Sequence, residues 1–164
     1  MIDPIKIRKL RPEDVEVILS WQYEMPYDFY NADPDMSVHE YSGQMLDPAL
    51  RFHGIWDGRG ELIGFCSFGD DGQVPGGDYG LCALDIGLGM KPDLTGKGFG
   101  KRFFAAILDF AMQRFSPATI RLTVADFNRR ALRLYGGLGF SAVDCFVHTD
   151  SQIRFTILTK DMRT

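Results

Sequence analysis

Apolar and basic residues alternate from Ile5 to Leu10, the two-residue period of a first strand with one face buried. Pro12-Glu13-Asp14 then sets a proline in a first helical turn with two acids at the positive end of the helix dipole, and Val15, Ile18 and Leu19 supply one buried helix face. Gln22 to Pro34 has two prolines and no clean period, which predicts a loop; Ser37 to Leu46 predicts a short second helix. Phe52 to Trp56 and Leu62 to Phe68, joined by Asp57-Gly58-Arg59-Gly60, predict a hairpin. Asp70 to Gly80 is polar and rich in glycine, which predicts a flexible connection inside one domain. The apolar run from Leu84 to Met90 reads as a central strand, and a long helix follows from near Gly98 to Arg114 with Phe99, Phe103, Ile107, Phe110 and Ala111 on one face. Ile120, Leu122 and Val124 alternate with Arg121 and Thr123 in a further strand, a helix starts at Asn128, and two strands near Phe140 to Thr149 and Gln152 to Lys160 end the chain. No internal repeat or low-complexity tract interrupts this order.

Composition narrows the class. A chain of 164 residues with 45% hydrophobic content matches one globular domain, 1–164, able to bury a substantial core. No apolar run reaches the length of a membrane span, and Met1-Ile2-Asp3-Pro4 lacks the regions of a signal peptide, so the expected place is the cytoplasm, with no membrane partner. Cys66, Cys82 and Cys145 are widely spaced with no Cys-x-x-Cys; each is expected as a small buried thiol in a strand, with neither a disulfide framework nor a metal site. The net charge of −4 disfavours nucleic acid and favours a cationic partner.

The strand from Leu84 runs past Pro92 into Thr95-Gly96-Lys97-Gly98-Phe99-Gly100 and then into a helix. Such a junction aims backbone N–H groups and the positive end of a helix dipole at one point, an anion seat. Lys97, Lys101 and Arg102 crowd this helix start, where cations are unfavourable unless a polyphosphate reverses the sign. Two common phosphate loops fail on spacing. A Walker loop would need glycine at Thr95 and a hydroxyl at Arg102; the dinucleotide fingerprint would need a third glycine at Pro92 or Phe103. What remains is Gly-x-Gly-x-Gly opening a helix, which taken alone is a turn or a site.

A second element decides between them. Asn128-Arg129-Arg130-Ala131-Leu132-Arg133-Leu134-Tyr135-Gly136-Gly137-Leu138-Gly139-Phe140 reads as a helix capped by Asn128 and stopped at Gly139. The glycine loop followed by Asn-x-x-Ala-x-x-Leu-Tyr-x-x-Leu-Gly-Phe resembles the GNAT superfamily of acyl-CoA-dependent N-acetyltransferases, over about Ile5 to Lys160. Two departures stand out: Thr95 replaces the family's usual Gln or Arg, and Gly136-Gly137 replaces charged residues. The resemblance implies an α+β or α/β fold, a mixed, mostly antiparallel central sheet of about six to seven strands flanked by about four helices, splayed at the cofactor site. It implies acetyl-CoA as cosubstrate and no metal.

Carried onto this chain, the resemblance assigns cofactor binding to Leu88, Met90, Thr95, Gly96, Lys97, Gly98, Phe99, Gly100, Lys101, Asn128 and Tyr135. Leu88 offers a backbone N–H to the oxygen on which charge develops, Met90 bonds the pantetheine arm, and Tyr135 protonates the departing thiolate. Tyr135 lies seven residues beyond Asn128 and so shares its helix face. Asp85 takes the place where the family often carries a glutamate; it is either the general base, through a water, or the partner of a neighbouring arginine. His53 and His148 are weaker candidates for that base.

Acceptor recognition falls to Trp21-Gln22-Tyr23-Glu24-Met25-Pro26-Tyr27-Asp28-Phe29-Tyr30, where Trp21, Tyr27, Asp28 and Tyr30 would cage an ammonium group or, alternatively, pack the first helix onto the sheet. The reading is an N-acetyltransferase acting on a primary amine of a small cationic molecule by direct attack in a ternary complex. The alternatives are a protein acetyltransferase acting on a lysine or N-terminal amine, and a non-catalytic acyl-CoA sensor. A homodimer is compatible with the sequence, which does not identify the acceptor.

Overall fold

The computed structural model describes residues 3–163. Met1 and Ile2, part of the leader reading, and Thr164, the end of the expected domain, lie outside them. The elements run β1 (Lys6–Lys9), α1 (Pro12–Leu19), α2 (Val38–Met45), β2 (Phe52–Trp56), β3 (Leu62–Phe68), β4 (Leu84–Met90), α3 (Gly100–Phe115), β5 (Thr119–Ala125), α4 (Arg129–Gly137), β6 (Ser141–Val147) and β7 (Arg154–Asp161), with short 3-10 turns between some of them. The strands form a seven-stranded sheet in the order β1-β2-β3-β4-β5-β7-β6. β4 and β5 are parallel, and the ladders β1·β2, β2·β3, β5·β7 and β6·β7 are antiparallel.

The chain divides into two compact units, residues 3–67 with 88–110 and residues 68–87 with 111–163. In the first, α1 starts at Arg11, whose backbone N–H donates to Asp14 at 2.8 Å, and α2 starts at Ser37, whose hydroxyl accepts from the Glu40 N–H at 3.0 Å. The β2–β3 turn is held by the Asp57 carboxylate, which accepts from the N–H groups of Arg59 and Glu61 at 2.9 Å each. Leu10, Val15, Ile18, Trp21, Met45, Phe52, Trp56 and Leu62 form its core. Along α3, Phe103, Phe104 and Ile107 are buried; Phe104 was not on the expected face, whereas Phe99 precedes the helix and is only half-buried.

In the second unit, Ile120, Leu122 and Val124 of β5 and Ile157 and Leu158 of β7 are buried, and so is Arg121, since β5 is covered on both faces. The expected flexible connection at 70–80 is instead fastened. Gln73 Nε2 donates to Asp85 at 2.9 Å, and the Tyr79 hydroxyl accepts from the Val74 N–H and meets Thr123 Oγ1, both at 2.9 Å. Glycine there shapes a path that side chains then pin. The cysteine reading is corrected in part: Cys66 is buried in β3, but Cys82 precedes β4 and Cys145 lies on β6, and both are exposed.

Candidate active site

Leaving β4, Pro92–Leu94 makes a 3-10 turn, and Thr95 turns its hydroxyl inward to donate to the Pro92 carbonyl at 2.7 Å. Its one hydroxyl hydrogen is thus used within the turn, which leaves the oxygen as an acceptor only. Gly96 and Gly98 follow with φ of +71° and +85°, left-handed conformations that disfavour a side chain. A Cβ built on Gly98 meets nothing within 4 Å, so backbone conformation rather than crowding calls for glycine there. The α3 ladder opens with Phe103 N–H donating to Phe99 C=O at 2.9 Å, and the first turn holds no acid. The amide hydrogens at this start lack intrahelical acceptors, while Lys97 and Lys101 are exposed beside them. Arg102 is drawn off to Asp3, 2.9 Å away. The loop's own residues therefore fit a pyrophosphate.

On β4 the direction of the backbone groups follows from two bonds. Gly69 N–H donates to Asp85 C=O at 2.8 Å and Lys91 N–H to Ile63 C=O at 2.8 Å, so odd-numbered residues of β4 turn toward β3. By the alternation of an antiparallel ladder, Leu88 and Met90 turn their N–H and C=O groups to the opposite edge. On that edge the ladder to β5 covers Leu84 and Asp85 only, pairing them with Ile120 and Arg121. Gly89 is pressed under Phe65, whose ring a Cβ would meet at 2.5 Å. Met90 C=O accepts a hydrogen bond from the Tyr23 hydroxyl at 2.6 Å, and burial pushes the Tyr23 phenol up to about 12.

A strand that sheds its neighbour, a left-handed glycine loop and a helix start without acids is the arrangement that the family resemblance implies. The model of the acetyltransferase (GNAT) family matches residues 14–140. The chain belongs to the GNAT family. It is 26% identical over 120 residues to the N-alpha-acetyltransferase RimI of Mycobacterium tuberculosis, covering 73% of this chain and 70% of that one. The GNAT fold is shared with the spermidine N-acetyltransferase of Vibrio cholerae in complex with CoA and spermine, at a TM-score of 0.73 and 22% identity over 96% of this chain and 95% of that one. A chimera of the Vibrio cholerae enzyme SpeG and hSSAT superposes with a TM-score of 0.76, 22% identity and the same coverage. As a GNAT protein the chain is an acetyl-CoA-dependent acyltransferase.

The remaining GNAT candidates separate into residues that face a ligand edge and residues that hold the fold. Asp85 belongs to the second group. Its carboxylate, 3% exposed, accepts from Arg121 Nε and Nη2 at 2.7 Å each and from Gln73. Arg121 also donates to Leu81 C=O at 2.7 Å, and its bond to Asp85 holds the guanidinium pKa above its usual value. Of the two readings of Asp85, these contacts fit the arginine partner, with fixed donors on both carboxylate oxygens. His53 is likewise internal, its Nδ1 2.9 Å from Arg51 C=O and its ring 5.0 Å from Phe110. His148 Nδ1 lies 2.7 Å from Ser151 Oγ.

Asn128 caps α4, accepting from the Ala131 N–H at 3.2 Å. Tyr135 on the same helix is 6% exposed, with its ring edge-on to Phe140 at 6.2 Å. In the acceptor segment the structure divides the expected set. Trp21 is 7% exposed inside the first core cluster, which fits the packing alternative of its two readings. Tyr27, Asp28 and Tyr30 share the 3-10 turn Tyr27–Tyr30, where Asp28 is exposed and Tyr30 stands edge-on to Tyr23 at 6.4 Å. Tyr23 is the residue that sequence reasoning passed over, and its partner is a backbone carbonyl 67 residues away, which no local pattern announces.

A depression of about 370 Å³ in the second unit is lined by Asp126, Ala142, Asp144, Cys145, Arg154 and Thr156, none of them sequence candidates. Asp126 accepts from Thr156 at 2.5 Å and lies 3.4 Å from Arg154, which reaches Cys145 Sγ at 2.8 Å, and Asp144 accepts from the Cys145 N–H at 2.8 Å. Among the described residues no helix is long and apolar enough to cross a membrane.

Proposed function

We propose that this GNAT enzyme acetylates a primary amine of a small cationic molecule, by direct attack within a ternary complex. The observation that carries the reading is the Tyr27–Tyr30 turn, which holds two tyrosines and the exposed Asp28 in one short stretch and stands Tyr30 edge-on to Tyr23 at 6.4 Å, Tyr23 being itself bonded to the end of β4. Ring faces and a carboxylate are the groups that attract an ammonium. The net charge of −4 draws such an acceptor from solution. The spermidine acetyltransferases that share the fold fit this class of acceptor.

Acetyl-CoA supplies the acyl group as an activated thioester. In this reading the amides of Gly96 to Gly100, with Lys97 and Lys101, take the diphosphate, and Met90 takes the pantetheine arm. Leu88 directs its N–H at the carbonyl oxygen, a donor fixed before charge develops there. The Tyr135 hydroxyl delivers a proton to the departing sulfur; a hydrogen bond alone would already stabilise the thiolate. With Asp85 engaged by Arg121, the amine sheds its proton to water, so turnover follows the fraction of free base.

The likeness to RimI favours a second reading, in which the acceptor is the N-terminal amine of a protein. Thiol release measured with spermidine, spermine, simple diamines and N-terminal peptides separates the two. Cationic small amines are expected to outperform the peptides. Preference for peptide N-termini selects the second reading, and acetyl-CoA bound but never consumed overturns both.

A further inference from the structure

Tyr23 joins two parts of the chain to which the proposed reaction gives different substrates. Its hydroxyl donates to Met90 C=O at 2.6 Å, on the edge of β4 assigned to the pantetheine arm. Its own backbone is clasped by Asn31, whose Oδ1 accepts from the Tyr23 N–H at 2.6 Å and whose Nδ2 lies 3.4 Å from Tyr23 C=O. Asn31 also closes the Tyr27–Tyr30 turn by donating its N–H to Asp28 C=O at 3.1 Å. The segment 22–31 is thus a loop tied at both ends to one tyrosine, and that tyrosine is tied to β4. The far side of the same strand end is rigid: Gly89 is pinned under Phe65, and Lys91 donates its N–H to Ile63 C=O and pairs with Glu61.

We propose that Tyr23 is a positioning residue that couples the two substrates, registering the acceptor segment 22–31 against the Met90 carbonyl so that occupation of the β4 edge by acyl-CoA orders the segment that receives the amine. The inference rests on the assignment of Met90 to the pantetheine arm. A ligand bonded to the Leu88 and Met90 amides stills the Met90 peptide; a stilled acceptor strengthens the bond to the hydroxyl, and through Asn31 the restraint reaches Asp28 and Tyr30. Ordering is then spent on the first substrate and not charged again to the second. The bond does not depend on pH in the working range, because a phenol held near 12 stays a donor. Phe29 and Tyr30, 44% and 42% exposed, stand edge-on to each other at 5.5 Å on the turn that Asn31 closes.

The test uses CoA as the probe and needs no identified amine. Amide hydrogen exchange over residues 22–31 is followed in the wild-type chain and in Tyr23→Phe, each with and without saturating CoA, with CoA affinity measured by calorimetry. In the wild type, CoA is expected to slow exchange across 22–31 by about threefold or more. In Tyr23→Phe that response is lost, while the dissociation constant for CoA stays within about threefold of wild type. Asn31→Ala, which opens the clasp and leaves the hydroxyl in place, is expected to lose the response at Asp28 and Tyr30 and serves where Tyr23→Phe folds poorly. Equal slowing in wild type and both variants, or none in a wild type that binds CoA, overturns the coupling and leaves the acetyltransferase reading intact. A wild type that gives no heat with CoA overturns both.

Discussion

Arg121 grips Asp85 with two donors, Nε on one carboxylate oxygen and Nη2 on the other, each at 2.7 Å. Both side chains are buried, and they sit at directly paired positions where β4 and β5 run parallel. The same guanidinium reaches Leu81 C=O and lies 4.9 Å from the Tyr79 ring, so one pair fastens the connection before β4 as well as the strand itself. A carboxylate so used is a structural anchor placed where the family often keeps a base.

Asp85→Ala is therefore expected to cost about 3–5 kcal/mol, since it leaves a buried guanidinium unpaired. Asp85→Asn, which keeps the volume, is expected to lower the urea midpoint yet reduce kcat by less than about tenfold, where loss of a general base costs on the order of a hundredfold or more. A thousandfold fall in kcat at an unchanged midpoint would return Asp85 to the chemistry.

Tyr135 is the converse case. Tyr135→Phe keeps the packing against Phe140 and removes only the hydroxyl, so the melting temperature is expected to stay within a few degrees while kcat falls by about a hundredfold. Turnover at saturating acceptor decides it, and an unaltered kcat removes the residue from the mechanism.

Tyr23 also sets an alkaline limit. Its phenol is neutral in the folded chain up to about 12, against an ordinary value near 10, so its contribution is complete below pH 10 and is lost as pH rises through 12. Stability is expected to fall across that window by about 2 kcal/mol more in the wild type than in Tyr23→Phe. Urea titrations at pH 9 and at steps up to 12 measure the difference.

The cysteines divide two and one. Cys82 and Cys145 are exposed, whereas burial raises the Cys66 thiol pKa well above its ordinary value. A disulfide reagent at pH 8 is expected to label two thiols in the native chain and the third only after unfolding. Prompt labelling of all three would show that β3 opens readily.

The parts of this fold that could be read from the sequence are those written in neighbouring residues. The β2–β3 hairpin carries its own turn, Ser37 and Asn128 sit where caps belong, and the left-handed angles at Gly96 and Gly98 are what a glycine loop ahead of a helix announces. An arginine partner is one of the two readings the sequence leaves open for Asp85, but which arginine is hidden: Arg121 lies 36 residues away in an alternation that gives it the look of a solvent-facing polar position. Trp21 and Tyr23 are adjacent aromatics in one unpatterned stretch. Only packing sends the first into the core and the second to a backbone carbonyl. Thr95 shows the same limit at smaller scale, since a hydroxyl does not declare whether it donates outward or, as here, to Pro92.

Gly64 and Gly89 form a contact between bare backbones: a Cβ on Gly64 would fall 2.7 Å from the Gly89 oxygen and 2.5 Å from Phe103. Neither position tolerates even alanine without displacing its neighbours, so these two residues constrain each other and the strand end between Leu88 and Lys91. Redesign of acceptor choice has its freedom elsewhere. On the proposed reading of segment 22–31, a library that keeps both glycines and randomises the exposed Gln22, Glu24 and Met25 is expected to change acceptor preference, measured by thiol release, without loss of CoA affinity.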